Sequence, residues 1–466
     1  MLFALAAIGC SVLTGLGAPN IILIASVSGF SLLVWLSIVA PDRMFLFAFG
    51  LSILIPLEIA IKWPPFPGVG PSIIVLVALL LGASVHFTWQ GKKARVCNPA
   101  ARLPMAFIWT MLITASLVST AFSVDKLASF YAVGKQVALL LGLVALLDHF
   151  LREPGFWPRI RAVLYLATAA VCIYAFAEEV THWNIFLQWY PAEVPIWRGG
   201  LLRVRSSFFH PIAFGTYLAM VYPFAVVDAV QRRRLEIGGL VLLIVGASIL
   251  TASRGPWLAM TLETLILVPV IIKMDYRVIA ACALGFFSLA CMARFCSTPS
   301  TVKEVQSVVN PNDIGSGHID ERSSEYYRFA VASAAIDSLH GARWIYGFGP
   351  GTFYLADIQS DYAGQDHVLT AGDSQYALTL VELGLVGLLL LVAMLVAGAL
   401  KCLKAIRESR GEQKSLAIAC FAAVIGLAVN SVTASMLILY PLNLMFWMAI
   451  IVASRIKMLD LNGAGS

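Results

Sequence analysis

The sequence predicts an all-α polytopic membrane protein, and three observations carry that reading. Apolar residues make up 60% of the 466 and charged residues only 12%, with a mean hydropathy of +0.85. An ordinary soluble domain is about one quarter charged, so a chain this apolar needs the bilayer as its solvent. The apolar residues gather into about fourteen segments (12–14 spans), each near the length of about 20 residues that a membrane helix requires. Basic residues fall in short loops between alternate segments, the pattern of the positive-inside rule.

In chain order the segments run roughly 2–16, 20–40, 44–61, 72–89, 105–122, 130–150, 160–178, 212–230, 237–252, 256–272, 277–293, 375–400, 415–433 and 436–454. The first is short, and no basic run precedes it, so it reads as a retained helix rather than a cleaved signal. With both termini placed in the cytoplasm, 20 of the 32 Lys and Arg lie on inward loops, among them Arg152, Arg161, Arg232, Lys404, Arg455 and Lys457. The long loops then face outward, away from the cytoplasm. The chain divides into residues 1–293, with helices one to eleven and an outward segment 179–211 rich in Trp and Tyr; the large outward loop 294–374; and residues 375–466, with the last three helices and a cytoplasmic C-terminus. A connection of about 80 residues is long for a mere link. Within it, Asp320–Leu339 reads as an amphipathic helix, with Tyr327, Val331, Ala334 and Ser338 at helical spacing. The eight cysteines show no CxxC spacing, which indicates neither a zinc site nor a disulfide framework.

Four clusters on the outward side carry chemistry. Arg203-Val204-Arg205 precedes Ser206 to His210 and Pro211, a residue suited to the first turn of a helix. In an extended chain both guanidinium groups face one way, and arginine grips phosphate oxygens bidentately. Interfacial arginines meeting lipid headgroups would look the same. Thr251-Ala252-Ser253-Arg254-Gly255-Pro256 joins two spans with almost no loop. Gly255 reads as the end of one helix and Pro256 as the start of the next, which places Arg254 at a helix C-terminus. There it either complements the helix dipole or serves a site.

The third cluster combines Arg328, on the amphipathic helix, with the run Trp344 to Phe353. Its three glycines suit a tight turn passing close to a ligand or a neighbouring helix, not a dinucleotide fingerprint. The fourth is Asp373-Ser374-Gln375, where Asp373 and Ser374 are good helix caps or a site carboxylate and its neighbour. Gln375, Thr379 and Glu382 continue as a polar stripe, and an intramembrane Glu382 should face the bundle interior. His210 and His367 are the histidines nearest these groups, and no histidine spacing suggests a metal site.

Together these pieces resemble the O-antigen ligase and polymerase family over about residues 200–395. The matching motifs are Arg205 before Ser206–Pro211, Ser253-Arg254-Gly255, and Arg328 and Asp337 ahead of Gly347–Phe353. Asp373-Ser374 then precedes Glu382-Leu383-Gly384-Leu385-Val386-Gly387. The resemblance implies a GT-C-like architecture and transfer of a glycan from an undecaprenyl-pyrophosphate-linked oligosaccharide donor to a glycan acceptor, without metal or other cofactor. Its partners would be that donor, the acceptor, membrane lipids and other polysaccharide export and chain-length proteins, with no nucleic acid. In this chemistry Arg205, Arg254 and Arg328 would stabilise the leaving pyrophosphate. Asp373, or His367 in its place, would accept the proton of the attacking hydroxyl. Arg203, His210, Glu382 and Trp344 would line the substrate site. Ligases carry His where this chain has Asp373, which leans the resemblance toward a polymerase that joins lipid-linked repeat units. The alternatives are a ligase that moves finished glycan to lipid A core or another acceptor, and a lipid-linked oligosaccharide flippase. Transport would need polar residues across the whole bilayer, and Glu58, Glu263 and Glu382 are the exceptions to their concentration at one boundary.

Overall fold

The computed structural model describes residues 18–55, 61–63, 66–69, 71–91, 104–189, 196–198, 201–232, 234–272, 333–356, 358–362, 365–368 and 374–459. Across these residues the architecture is helical, with three two-stranded hairpins between helices. The first helices are α1 (Ala18–Val39) and α2 (Pro41–Leu54). The hairpin β1 (Ile61–Trp63) and β2 (Phe66–Val69) leads to α3 (Pro71–Gly91), followed by α4 (Ala106–Ala121), α5 (Lys126–Lys135), α6 (Gly142–Phe150) and α7 (Phe156–Thr181). The small hairpin β3 (Trp197–Arg198) and β4 (Leu201–Leu202) precedes α8 (Pro211–Arg232), α9 (Leu235–Leu250) and α10 (Arg254–Ile271). Beyond these come α11 (Arg343–Tyr346) and the hairpin β5 (Gln359–Tyr362) and β6 (Gln365–Val368). The last helices are α12 (Gln375–Glu408), α13 (Gly411–Asn430) and α14 (Leu442–Arg455).

Among the described residues, six helices are long and apolar enough to cross a membrane: α3, α7, α8, α10, α12 and α13. Three shorter apolar helices lie over 28–39, 106–121 and 235–250. The helix α8 is the axis of the bundle. Its membrane-length window is 94% buried, and α7, α9, α10, α13 and α14 pack around it. Most of the other candidate spans bury well under half of their windows, as expected of helices whose outer faces meet lipid.

Several expected spans differ from what is observed. The segment 44–61 is helical only to Leu54 and turns at Ile55 ahead of the β1–β2 hairpin. The segment 130–150 is not one regular helix. A π-helical stretch, Gln136–Leu141, separates α5 from α6, and a wide turn of this kind breaks the regular hydrogen-bond ladder. The segment 436–454 becomes helical only at Leu442, after an irregular run that includes the cis Tyr440–Pro441 bond. Of the expected amphipathic helix, residues 333–337 are helical and the part carrying Arg328 lies outside the described residues. So do the segments 2–16 and 277–293.

One end of the bundle is laced by ion pairs. Asp228 on α8 meets Arg161 on α7 at 3.2 Å and Arg232 at 3.6 Å, and also accepts from Tyr165 at 2.9 Å. Asp148 on α6 pairs with Arg152 and, at 3.0 Å, with Arg455 of α14. Lys457 reaches Glu408, the last residue of α12, at 2.9 Å. These cations come from the stretch between α6 and the first turns of α7, from the end of α8 and from the end of α14, and all three regions lie at one end. Arg203, Arg205, His210, Arg254 and Gln375 lie at the other end, before or at the starts of α8, α10 and α12.

Candidate functional site

The site end is built from chain crossings that bury backbone polar groups, and each crossing is closed by hydrogen bonds. The segment before α8 is anchored first. Glu178, near the C-terminus of α7 and 3% exposed, accepts from the backbone N–H of Arg205 at 3.2 Å and of Ser206 at 2.7 Å. Ser206 adopts a left-handed backbone (φ +55°), and Asn184 donates to its carbonyl at 2.7 Å. This turn carries Arg205 inward. Its side chain is 2% exposed and donates to the Phe209 carbonyl at 2.8 Å. His210 caps α8, its ring Nδ1 accepting from the Ile212 N–H at 3.2 Å.

Arg203 takes a different direction. It donates to the Thr251 carbonyl at 3.3 Å and to Ser253 Oγ at 2.9 Å, while Val204 N–H bonds the Leu250 carbonyl at 3.1 Å. Arg203 and Arg205 therefore do not present their guanidinium groups side by side as an extended chain would. The left-handed Ser206 and the Glu178 anchor turn Arg205 into the core. Arg203 instead ties its segment to the α9–α10 turn.

Arg254 stands at the N-terminus of α10, not at the C-terminus of the preceding helix as the sequence suggested. The turn is made by Ala252 in the left-handed region (φ +45°), and Ser253 is already extended at the cap position. Gly255 and Pro256 then fall inside the first turn of α10. The dipole argument consequently changes sign. A cation at a helix N-terminus is disfavoured by about 0.3–1 kcal/mol, and an anion bound there would offset it.

Three helix starts meet here. On α8, a Cβ at Gly215 would come within 2.8 Å of Pro256, so the absent side chain lets α8 and α10 close together. On α10, a Cβ at Gly255 would meet Asn430 Oδ1 at 2.6 Å, so α10 lies hard against the end of α13. Asn430, 1% exposed, donates to Thr216 on α8 and accepts from Thr433 at 3.3 Å. On α12, Gln375 N–H bonds the Ser431 carbonyl at 2.9 Å, Tyr376 OH bonds the Ala428 carbonyl at 2.9 Å, and the Gln375 side chain accepts from Leu437 N–H at 3.0 Å. Asp373 lies outside the described residues, but Ser374, next to it, starts α12 at this junction. Neither Ser253 nor Ser374 caps its own helix with its side chain. Ser253 Oγ is held by Arg203 and the Thr251 carbonyl, and Ser374 Oγ by the Ser431 carbonyl. The first-turn N–H groups of α10 are thus left without a side-chain cap from Ser253, whereas the first N–H of α12, that of Gln375, is taken by the Ser431 carbonyl. A helix start of the first kind beside arginine is a natural seat for anionic oxygens.

The glycine-rich run is threaded between α4–α5 and a break in α12. Gly347, Gly349 and Gly351 have φ of +72°, +116° and +70°, which side-chain-bearing residues rarely adopt. Phe348 N–H bonds the Val381 carbonyl at 2.8 Å and Gly349 N–H the Glu382 carbonyl at 3.0 Å, where Gly384 (φ +67°) interrupts the helix. Ser119 on α4 sits beside both pieces, 2.6 Å from the Tyr346 carbonyl and 2.9 Å from that of Glu382. The Glu382 carboxylate lies within hydrogen-bonding reach of the backbone N–H groups of Gly351 and Phe353. The expected close pass of the glycine run along a neighbouring helix is therefore what is observed, and Glu382 holds the loop as well as facing a hollow beside it.

Trp344 is 39% exposed on α11, and neighbouring Arg343 stacks over Phe348 at 4.6 Å. Asp337 is exposed and bonded to Ser333. His367 lies in β6, paired in register with Ser360. Glu263 is wholly buried where Gly426 leaves room between α10 and α13, and Glu58 falls outside the described residues, as does Arg328. No group of three or more His, Cys, Asp or Glu among the described residues is placed to hold a metal ion. Hydrogen bonds and close approaches thus link Arg203, the Ser253–Arg254 turn and, through the end of α13, the start of α12. Sequence reasoning missed Glu178, Asn184 and Asn430, whose partners are backbone groups or side chains far along the chain. Their one sequence signal is a polar residue at or just past the end of an apolar span.

Residues 239–392 match the family model described as O-antigen ligase. Over that stretch the chain is similar to the O-antigen ligase family. The stretch runs from within α9 past the Gly384 break, so it contains the Ser253–Arg254 turn, the glycine run and the start of α12. Members of this O-antigen ligase and polymerase family are glycosyltransferase-like enzymes. Arg203, Arg205 and His210 precede the matched stretch in sequence and are brought to it by the Arg203–Ser253 and Val204–Leu250 hydrogen bonds. No curated protein matches the chain in sequence.

Proposed function

We propose that this protein is an inner-membrane glycosyltransferase that joins undecaprenyl-pyrophosphate-linked oligosaccharide repeat units on the periplasmic face. In this reading the ion-paired end is cytoplasmic, as are both termini, and the bundle is a GT-C-like assembly of about fourteen spans. The observation that carries the reading is the start of α10. A cation, Arg254, sits at a helix N-terminus that the Ser253 side chain does not cap, tied through the Ser253 turn to a second cation, Arg203. Two cations beside a helix N-terminus form a favourable seat for a pyrophosphate.

The transfer needs three things. The pyrophosphate must leave with its growing charge met by fixed cations, the role of Arg254 and Arg203, with Arg328 from the long loop. An acceptor hydroxyl must lose its proton, the role of Asp373 next to Ser374. The new glycosidic bond then forms at the sugar carbon as its bond to the pyrophosphate oxygen breaks. A headgroup at the membrane boundary would meet these groups where a lipid pyrophosphate lies.

A second reading, transfer of finished glycan to lipid A core or another non-polymer acceptor, is favoured by the description of the matching family. Purified protein, labelled lipid-linked donor and both acceptor types separate the two. The polymerase reading expects label in longer lipid-linked chains. Label confined to lipid A core would overturn it in favour of the ligase, and absence of any transfer would overturn both.

A further inference from the structure

Two hollows flank the short helix α5 on either side of one residue. The first, about 280 Å³, is lined by Lys135, Gln136, Glu382, Tyr440 and Asn443, together with apolar groups. The second, about 410 Å³, is lined by Ile73, Leu127, Phe130, Tyr131, Gly134 and Lys135. One is rich in polar side chains and the other is mainly apolar, and Lys135 is the residue they share. Among the described residues Lys135 has no ion-pair partner.

The helix itself is built for an interface. Asp125 caps it by accepting from Leu127 and Ala128 N–H groups, each at 2.9 Å. Leu127, Phe130 and Tyr131, at i, i+3 and i+4, are 79%, 65% and 72% exposed, and a lysine stands at each end of the helix. Large apolar side chains on one face with flanking cations describe a helix lying at the headgroup boundary. A ligand filling both hollows must be an amphiphile with negative charge at the junction. Free phosphate would leave the apolar hollow empty, and a zwitterionic lipid would bring a second cation toward Lys135.

We infer that this pair of hollows holds an anionic phospholipid of the surrounding bilayer, with its phosphate on Lys135 and a hydroxylated headgroup in the polar hollow. Its acyl chain lies over Leu127, Phe130 and Tyr131. The Glu382 carboxylate and the Asn443 amide on the polar wall suit hydroxyl donors, so the fitting headgroup is glycerol. The bound lipid braces α5, against which Gly349 and Gly351 of the glycine run pack. This inference stands apart from the transferase reading and needs no turnover.

The test uses the full chain in detergent with added phosphatidylglycerol or phosphatidylcholine, read by native mass spectrometry through stepwise delipidation. Phosphatidylglycerol should persist at about one molecule per chain in preference to phosphatidylcholine. Lys135→Ala should weaken its retention about fivefold, the effect of one basic residue on an anionic lipid. Lys135→Arg should restore retention, and Lys126→Ala, which lines neither hollow, should leave it unchanged. Equal retention of both lipids, or undiminished retention by Lys135→Ala, overturns the inference. Displacement of phosphatidylglycerol by an equimolar polyprenyl phosphate also overturns it, because the hollows would then belong to a substrate lipid.

Discussion

Gly347 and Gly384 each lie against the backbone of the other's segment, so neither has room for a side chain of its own. A Cβ at Gly347 would stand 2.5 Å from the Val381 and Glu382 carbonyl oxygens, and one at Gly384 would stand 2.7 Å from Tyr346 N. Both residues also have positive φ. The glycine run and the break in α12 are therefore one joint, not two separate motifs.

That joint should tolerate no side chain on either half. A positive φ with ψ near 180°, as at both glycines, is essentially closed to other residues and costs them about 1–3 kcal/mol, and here the intruding atom meets backbone that cannot swing away. Gly347→Ala and Gly384→Ala should each lower glycan transfer at least about tenfold and speed proteolysis of the long loop. Gly238→Ala, on α9 with nothing near its Cβ, should leave both unchanged. Assay of transfer and limited proteolysis on the same preparations checks this.

Glu178 predicts a stability effect with a functional consequence. Removing its carboxylate strands the buried N–H groups of Arg205 and Ser206. Each buried donor left unsatisfied costs about 1–3 kcal/mol. Glu178→Ala should lower the Tm in detergent clearly and reduce transfer by freeing Arg205 from its position. An unchanged Tm would remove Glu178 from the account.

Arg203 is tied to the Thr251 carbonyl and to Ser253 Oγ through its guanidinium, and a lysine cannot reproduce two directed bonds of that kind. Arg203→Lys keeps the charge and should still lower transfer, with most of the loss in kcat. If charge alone matters, Arg203→Lys will match the parent.

The ion-paired end makes the opposite prediction. Asp228 holds Arg161, Arg232 and Tyr165 together far from the candidate site. Breaking a largely buried charge cluster by removing one partner costs about 3–5 kcal/mol. Asp228→Asn should lower thermal stability and membrane yield, while the folded fraction keeps its turnover number. Measuring kcat per folded molecule, with folded protein counted by size-exclusion chromatography, separates the two effects.

Much of the frame was legible in the sequence because bilayer solvation writes itself into composition. The apolar runs at 212–230, 237–252 and 256–272 fall within two residues of the observed α8, α9 and α10. The glycine run was legible as a close pass because three glycines within five residues leave few other reasons. The start of α10 was misread because Gly255-Pro256 carries the ordinary signal of a helix boundary, while the real turn uses Ala252 in a left-handed conformation that nothing in its side chain announces. The π-helical stretch after α5 was hidden for a related reason, since its residues are as apolar as those of any span. Glu178 and Asn430 were missed because each works on partners remote in sequence, 27 and 214 residues away for Arg205 and Thr216.

The central claim is that Arg254, at the start of α10, and Asp373, beside the start of α12, serve one transfer site at one end of the bundle. The direct measurement is single-turnover transfer from a labelled undecaprenyl-pyrophosphate-linked oligosaccharide by purified Arg254→Ala and Asp373→Asn proteins. Both should stay folded and inserted yet form no longer glycan, and the double variant should be no worse than either single one. Transfer at the parent rate by either single variant would contradict the account.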